Sequence, residues 1–282
     1  MLQLFFTDLA EFHFLQNALI TAVAVGIVAG VIGSFIILRG LSLMGDAISH
    51  AVLPGVALSF MLHIPMVIGA AAFGILAATI ITLIKQFSAI KSDTAIGITF
   101  STFLALGVIL IGLVHTTTNL FHILFGNVLA VQDGDRNLTL GIAAAVLVLV
   151  ALFFKRLRLT SFDPLMAQAM GIRTNFYHFL LMIMLTLVAV VSMQSVGTIL
   201  IVALLITPAA TCYLFADRLV VMVIASGLLG GLISLVGLVF GYTHNIAVGS
   251  CIVILGALVF VVCFPFSKKQ HLITLPLGGK NV

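Results

Sequence analysis

The chain has 282 residues, of which 62% are hydrophobic and 7% carry a charge, and its formal net charge is +4. Soluble domains carry roughly 25% charged residues, so this composition excludes a soluble protein and indicates an all-α, multi-pass membrane protein. The small positive charge is scattered at the ends of apolar segments, which indicates membrane topology and excludes nucleic acid as a partner.

Nine apolar segments approach the roughly 20 residues that a helix needs to cross a bilayer. Before them, residues 1–16 mix leucine and phenylalanine with acidic side chains, which predicts an interfacial helix. The predicted transmembrane domain covers residues 17–266, and residues 267–282 form a cytoplasmic tail. The predicted spans are 17–38, 41–62, 66–84, 95–114, 138–154, 176–193, 197–215, 219–240 and 246–266.

Lysine and arginine are distributed unequally between the two sides that nine spans define. With the N-terminus outside, the inner side receives eleven of the twelve basic residues, and the outer side keeps only Arg136. Cytoplasmic loops of membrane proteins carry the excess of positive charge. We therefore predict a plasma-membrane protein with its N-terminus outside and its C-terminus in the cytoplasm.

Asp46 and His50 lie four residues apart inside the second predicted span. Positions i and i+4 of a helix share one face, with Cβ atoms roughly 5–6 Å apart, so this carboxylate and imidazole can hold a metal ion from one side. An ionised Asp in hydrocarbon costs on the order of 3 kcal/mol, which favours an ion path. The alternative is that both side chains form hydrogen bonds between helices.

The outer segment 115–137 is polar at first and then apolar, which predicts a re-entrant or interfacial element. Three histidines on this side, His63, His115 and His122, are candidates to meet the metal where it enters the pore. The alternative for each of them is a solvated loop histidine.

The inner segment 155–175 is predicted to contain a short surface helix at about 161–173. Ser161 is the candidate N-cap, Pro164 falls near the first turn, and Gly171 ends the helix. Such a helix on the basic side suggests a docking surface, and the alternative is an ordinary connection.

Several motifs are absent from the whole sequence. It contains no G-x-x-x-x-G-K-[S/T] nucleotide-binding loop, no H-E-x-x-H and no G-x-S-x-G. If ATP drives transport, a separate chain must therefore hydrolyse it. Apart from Asp46, the predicted spans hold no acidic residue, which disfavours a proton-coupled carrier, and no general base for an intramembrane metalloenzyme is visible near Asp46.

Four segments of the sequence stand out: 45–55 (GDAISHAVLPG), 91–98 (KSDTAIGI), 162–171 (FDPLMAQAMG) and 195–210 (SVGTILIVALLITPAA). In this order they resemble motifs of the permease family of manganese, zinc and iron ABC importers, and most closely the streptococcal-type manganese permeases of Gram-positive bacteria. The resemblance implies an ABC importer permease of metal-chelate/vitamin-permease-like architecture with eight or nine spans. It assigns the family's metal-contacting residues to Asp46 and His50. The segment 162–171 is similar to the family's coupling helix.

The resemblance also implies partners: a second copy of the chain, two ATPase subunits that bind ATP, and an extracellular metal-binding lipoprotein. The predicted function is a permease, not an enzyme, that carries Mn²⁺ and holds no permanent cofactor. Alternatives are Zn²⁺ or Fe²⁺ import, a vitamin- or siderophore-type ABC permease, and a secondary metal carrier without an ATPase. The residues predicted to couple to the ATPase are Ser161, Phe162, Asp163, Ala167, Ala169 and Gly171.

Overall fold

A computed structural model describes residues 2–113, 126 and 128–267, and all regular structure in that part of the chain is helical. Two short 3₁₀ turns, Val128–Ala130 and Phe264–Phe266, accompany the α-helices. The α-helices are α1 (Leu2–Glu11), α2 (His13–Leu38), α3 (Met44–Ala51), α4 (Leu53–Leu62), α5 (Met66–Phe87), α6 (Ser92–Leu113), α7 (Asp133–Phe162), α8 (Pro164–Ala169), α9 (Thr174–Val196), α10 (Thr198–Phe215), α11 (Leu219–Thr243) and α12 (Val248–Cys263).

Nine segments of the described residues are long and apolar enough to cross a membrane, which confirms the predicted count of spans. The second span, Met44–Leu62, consists of α3 and α4 together. Among the α-helices of the described residues, only α1 and α8 stand outside this set. α8 lies between the long helices α7 and α9.

The helix of the fifth span extends beyond the predicted apolar segment at both ends. α7 is a single helix of 30 residues, whereas the apolar segment covers only 138–154. The loss of hydropathy at Lys155 marks where the helix leaves the apolar layer, and the helix continues because lysine and arginine are good helix formers. The segment 155–175 is therefore not one surface helix. The outer segment, predicted at 115–137, ends before Asp133, where α7 begins. Its residues 115–125 and 127 lie outside the described part.

The first span begins earlier than predicted, at His13 instead of residue 17. The stretch predicted to be interfacial is helical over Leu2–Glu11, and only Phe12 separates α1 from α2. The Tyr242 hydroxyl donates a hydrogen bond of 3.1 Å to the Asp8 carboxylate. This bond fastens α1 to the end of α11.

The helices α2 and α9 form the centre of the bundle, with 72% of each spanning window buried, whereas α12 buries only 17%. α2 packs closely against α11 through glycine. A Cβ atom at Gly26 would meet the carbonyl oxygen of Gly230, and one at Gly30 would meet that of Ser226. The glycines therefore let the backbones of the two helices touch, as small residues do between membrane helices.

Candidate metal site and coupling segment

The second span is interrupted at Val52, two residues after His50. Pro54 has no N–H group to donate to the carbonyl of His50, and its ring crowds that carbonyl. The flanking turns continue, because the amides of Val52 and Val56 donate to the carbonyls of Ile48 and Val52 at 3.2 and 3.0 Å. As a result His50 lies in the last turn of α3, and Asp46 lies in its first turn.

The i, i+4 spacing brings the two side chains together as predicted. The Nε2 atom of His50 lies 3.4 Å from the Oδ1 atom of Asp46, and the side chains are 21% and 44% exposed, respectively. Ala47, Ile48 and Ala51 on the other sides of α3 are buried in the chain's own core. α3 therefore presents its carboxylate and imidazole on a face that this chain leaves accessible.

Packing sets the orientation of the imidazole. The His50 ring meets the ring of Phe100, on α6, edge to face with centroids 5.2 Å apart. Its Nδ1 atom is buried and has no hydrogen-bond partner among the described residues. Nε2 is thus the nitrogen that shares the accessible face with the Asp46 carboxylate.

The distance between the two candidate ligand atoms suits a single metal ion. With the bonds of about 2.0–2.2 Å that Zn²⁺ makes to nitrogen and oxygen, a separation of 3.4 Å gives a ligand–metal–ligand angle of roughly 100–116°, a range that includes the tetrahedral angle and exceeds the octahedral one. Oxygen and nitrogen donors suit Mn²⁺, Fe²⁺ and Zn²⁺. No group of three or more His, Cys, Asp or Glu side chains that could hold a metal occurs among the described residues, so the pair supplies two ligands and needs others.

The other candidate histidines are not part of this pair. His63 ends α4 in a left-handed conformation with φ of 55°, and it is exposed. At 1.5 Å per residue, it lies roughly 20 Å along the span from His50. His115 and His122 lie outside the described residues, so their proposed role in metal capture stays a prediction.

The predicted N-cap of the coupling helix was wrong, because α7 continues through Phe162 and the next helix begins at Pro164. The Ser161 hydroxyl lies in the last turn of α7, where it donates to the Leu157 carbonyl at 2.7 Å and accepts from the Arg39 Nε–H at 2.9 Å. The cap is Asp163, whose Oδ1 accepts the Met166 amide at 2.9 Å. A residue before proline avoids the helical conformation, which suits an N-cap.

Gly171 ends this segment as predicted, with φ of 76°, a value that glycine adopts without strain. The small residues before it differ in their surroundings. Ala167 is fully buried within the chain, whereas Ala169 and Gly171 are exposed. Ala169 and Gly171 are therefore accessible to another protein, whereas Ala167 packs against the rest of this chain and is not accessible.

Four large apolar side chains around α8 are exposed, and we call them the coupling patch: Phe162 at 60%, Leu165 at 77%, Met166 at 55% and Met170 at 63%. Exposed apolar clusters outside the spans mark interaction sites. The sequence prediction included only Phe162 and overlooked the other three. The sequence did contain their signal, because apolar residues that recur in a capped helix next to basic residues are typical of a surface outside the lipid.

Comparison with known proteins places the chain in a family. Residues 11–267 match the ABC 3 transport family. The chain is 63% identical over 271 residues to the manganese import system permease protein ScaB of Streptococcus gordonii, an alignment that covers 96% of this chain and 98% of that protein.

Among solved structures, the chain is similar to PsaBC from Streptococcus pneumoniae in complex with a Fab, with a TM-score of 0.89, 61% identity, and coverage of 98% of this chain and 99% of that one. A metal-chelate type ABC transporter in an inward-facing conformation shares the fold at 17% identity, with a TM-score of 0.72 and coverage of 89% and 85%. The resemblance predicted from the four motifs is thus confirmed. The chain belongs to the ABC 3 transport family and is a membrane-embedded permease subunit, not an enzyme.

Proposed function

We propose that the chain is the permease of an ATP-driven importer of Mn²⁺, in which the ion passes between Asp46 and His50. The observation that carries the proposal is the geometry of this pair, with Nε2 and Oδ1 3.4 Å apart on the accessible face of α3. The named function of its relative, a manganese import permease at 63% identity, supports manganese as the cargo. Zinc or iron import by the same route is the alternative.

Two protomers would complete the coordination of the ion. One chain supplies one oxygen and one nitrogen, and a two-fold axis beside the accessible face of α3 would add a second pair. This set of two carboxylates and two imidazoles lacks thiolates, which disfavours Cu(I). Because affinity rises from Mn²⁺ towards Zn²⁺ along the first transition row, selection for Mn²⁺ would come from geometry, delivery and release.

Separate chains would supply energy and cargo. Since the sequence contains no nucleotide-binding loop, two ATPase subunits would bind ATP and dock on the coupling patch in the cytoplasm. An extracellular lipoprotein would deliver the metal on the opposite side. The coupling role of Ser161 would be indirect, through its hydrogen bond to Arg39 at the end of α2, shortly before the metal-binding helix α3.

The uptake of radiolabelled Mn²⁺ tests this function. Cells without their own manganese importers should accumulate the label when they express this chain with its ATPase and lipoprotein, and an inactive ATPase variant should not. Mn²⁺ should stimulate ATP hydrolysis by the purified complex. Stimulation by a corrinoid or a ferric siderophore, but not by Mn²⁺, would instead identify a vitamin- or siderophore-type permease, and uptake without the ATPase would identify a secondary carrier.

Cysteine labelling tests the proposed orientation. After replacement of Cys212, Cys251 and Cys263, a membrane-impermeant thiol reagent should label a cysteine placed at the exposed His244 from outside the cell. It should not reach a cysteine at the exposed Gln168 of α8 until the membrane is opened. The basic excess in the cytoplasm is the physical reason. If the reagent labelled position 168 from outside the cell and not position 244, the orientation would be the reverse of the proposed one. The coupling patch would then lie outside the cell, away from the ATPase.

A further inference from the structure

A polar cavity of about 460 Å³ lies at the end of the bundle that carries α8. The C-terminal ends of α2, α5 and α7 and the N-terminal end of α9 surround it. Two cations line it, Arg39 and Lys85, together with Thr160, Ser161 and His178, and no carboxylate does so among the described residues. The cavity is thus basic and far from electrically neutral.

Arg39 is held at the wall of this cavity by three neutral groups. Its Nε–H donates to the Ser161 hydroxyl at 2.9 Å and one Nη2–H donates to the Thr160 hydroxyl at 3.0 Å. The third contact, of 3.2 Å, joins Nη1 to the Nδ1 atom of His178. Because a guanidinium only donates, this imidazole nitrogen is the acceptor. The three bonds fix the plane of the guanidinium but contribute no negative charge.

The charge of Arg39 therefore has no counterpart within the described residues, where the ion pairs found involve only other side chains. Burial lowers the pKa of Arg39 to about 10, so the group remains a cation at neutral pH. Arg39 is partly buried, and a charge withdrawn from water is costly unless an opposite charge meets it. A guanidinium carries five N–H donors, and the three bonds above leave two of them for an anion.

We propose that this cavity is an anion site that binds a phosphate group, either the headgroup of an anionic phospholipid or phosphate free in solution. The planar fork of Arg39 matches phosphate oxygens. Lys85 is exposed at the cavity mouth, where it adds a second positive charge. Basic pockets between helices at the edge of a membrane are typical lipid-headgroup sites.

The location gives a bound phosphate a structural role. Arg39 directly follows α2 and precedes α3, which carries Asp46 and His50. Its partners Thr160 and Ser161 lie in the last turn of α7, the helix before α8. An anion on Arg39 would neutralise the charge at the junction between the metal-binding helix and the coupling segment. This inference stands without the proposed metal transport, because it depends only on the cavity and its charges.

Thermal unfolding of the full-length chain in lipid nanodiscs tests the proposal. A ligand that binds the folded state raises the unfolding midpoint by mass action. We expect a rise when phosphatidylglycerol replaces part of the phosphatidylcholine, or when inorganic phosphate replaces chloride at constant ionic strength. Lys85→Gln should weaken the apparent affinity about fivefold, as loss of one cation near a phosphate surface does, and Lys85→Glu should abolish the response. Lys155→Gln, an exposed lysine of α7 outside the cavity, is the matched control.

The lipid exchange and the phosphate exchange distinguish the two sources of the phosphate group. A rise with phosphatidylglycerol alone assigns the site to a lipid headgroup, and a rise with inorganic phosphate, with or without the lipid effect, assigns it to phosphate itself. The absence of both rises would overturn the proposal. So would a response that survives in Lys85→Glu, or one that Lys155→Gln weakens as much as Lys85→Gln does, because either result would indicate general surface charge.

Discussion

Alanine in place of Asp46 or His50 is expected to abolish Mn²⁺ uptake, with expression and assembly retained. Each replacement removes one of the two ligands that a chain offers, Oδ1 or Nε2 of the pair 3.4 Å apart. Loss of only an outer-shell partner of a metal ligand costs roughly 10–100-fold in affinity or activity, so loss of the ligand itself should cost at least about 100-fold. Asp46→Asn should fail as well, because it keeps the shape and removes the charge.

The matched control is Ser49→Ala. Ser49 is buried in α3, between the two ligands in sequence, and its hydroxyl donates to the carbonyl of Gly45 at 2.8 Å. Its loss should leave uptake of radiolabelled Mn²⁺ close to that of the unmodified protein. If Asp46→Ala and His50→Ala also transported normally, the ion would have to pass elsewhere.

The second large effect is expected at the coupling patch. Leu165→Asp places a carboxylate on a side chain that is 77% exposed, and burial of that charge in an apolar contact with the ATPase should cost at least about 2 kcal/mol, as at an interface hot spot. Ala169→Trp should overpack the same contact by about 1–3 kcal/mol. We expect both variants to lose ATPase association and ATP-driven uptake while Mn²⁺ binding at the pore is retained.

An exposed alanine outside α8 provides the control for this experiment. Ala89 lies in the connection between α5 and α6, at the same end of the bundle, and Ala89→Trp should still co-purify with the ATPase and support uptake. Normal co-purification and uptake in both Leu165→Asp and Ala169→Trp would show that the ATPase docks on another surface.

The features that the sequence predicted correctly depend on residues close together in the chain. The i, i+4 spacing of Asp46 and His50 was enough to predict their contact, because a single helix turn decides it. The nine apolar segments were enough to predict nine spans, because the hydropathy and length of a segment are local properties of the sequence.

Two kinds of feature were not predicted. One kind depends on contacts between residues far apart in the sequence, and the other arises where a helix ends at a different residue from its apolar segment. α7 continues past Lys155, so the cap of α8 moves from Ser161 to Asp163. Arg39 meets Ser161 and His178 across 122 and 139 residues of sequence, a separation that no local pattern encodes. The basic cavity is lined by residues from the same distant parts of the sequence, so only the three-dimensional structure reveals it.

The most direct test of the proposed ion path is pulsed electron paramagnetic resonance of Mn²⁺ bound to the assembled permease. If Asp46 and His50 of two protomers hold the ion, the spectrum should show coupling to the nitrogens of equivalent imidazoles, with one ion shared between two chains. His50→Ala should remove this coupling, and His63→Ala should preserve it. Nitrogen coupling that persists in His50→Ala, or bound Mn²⁺ without any nitrogen coupling in the unmodified protein, would contradict the proposed site.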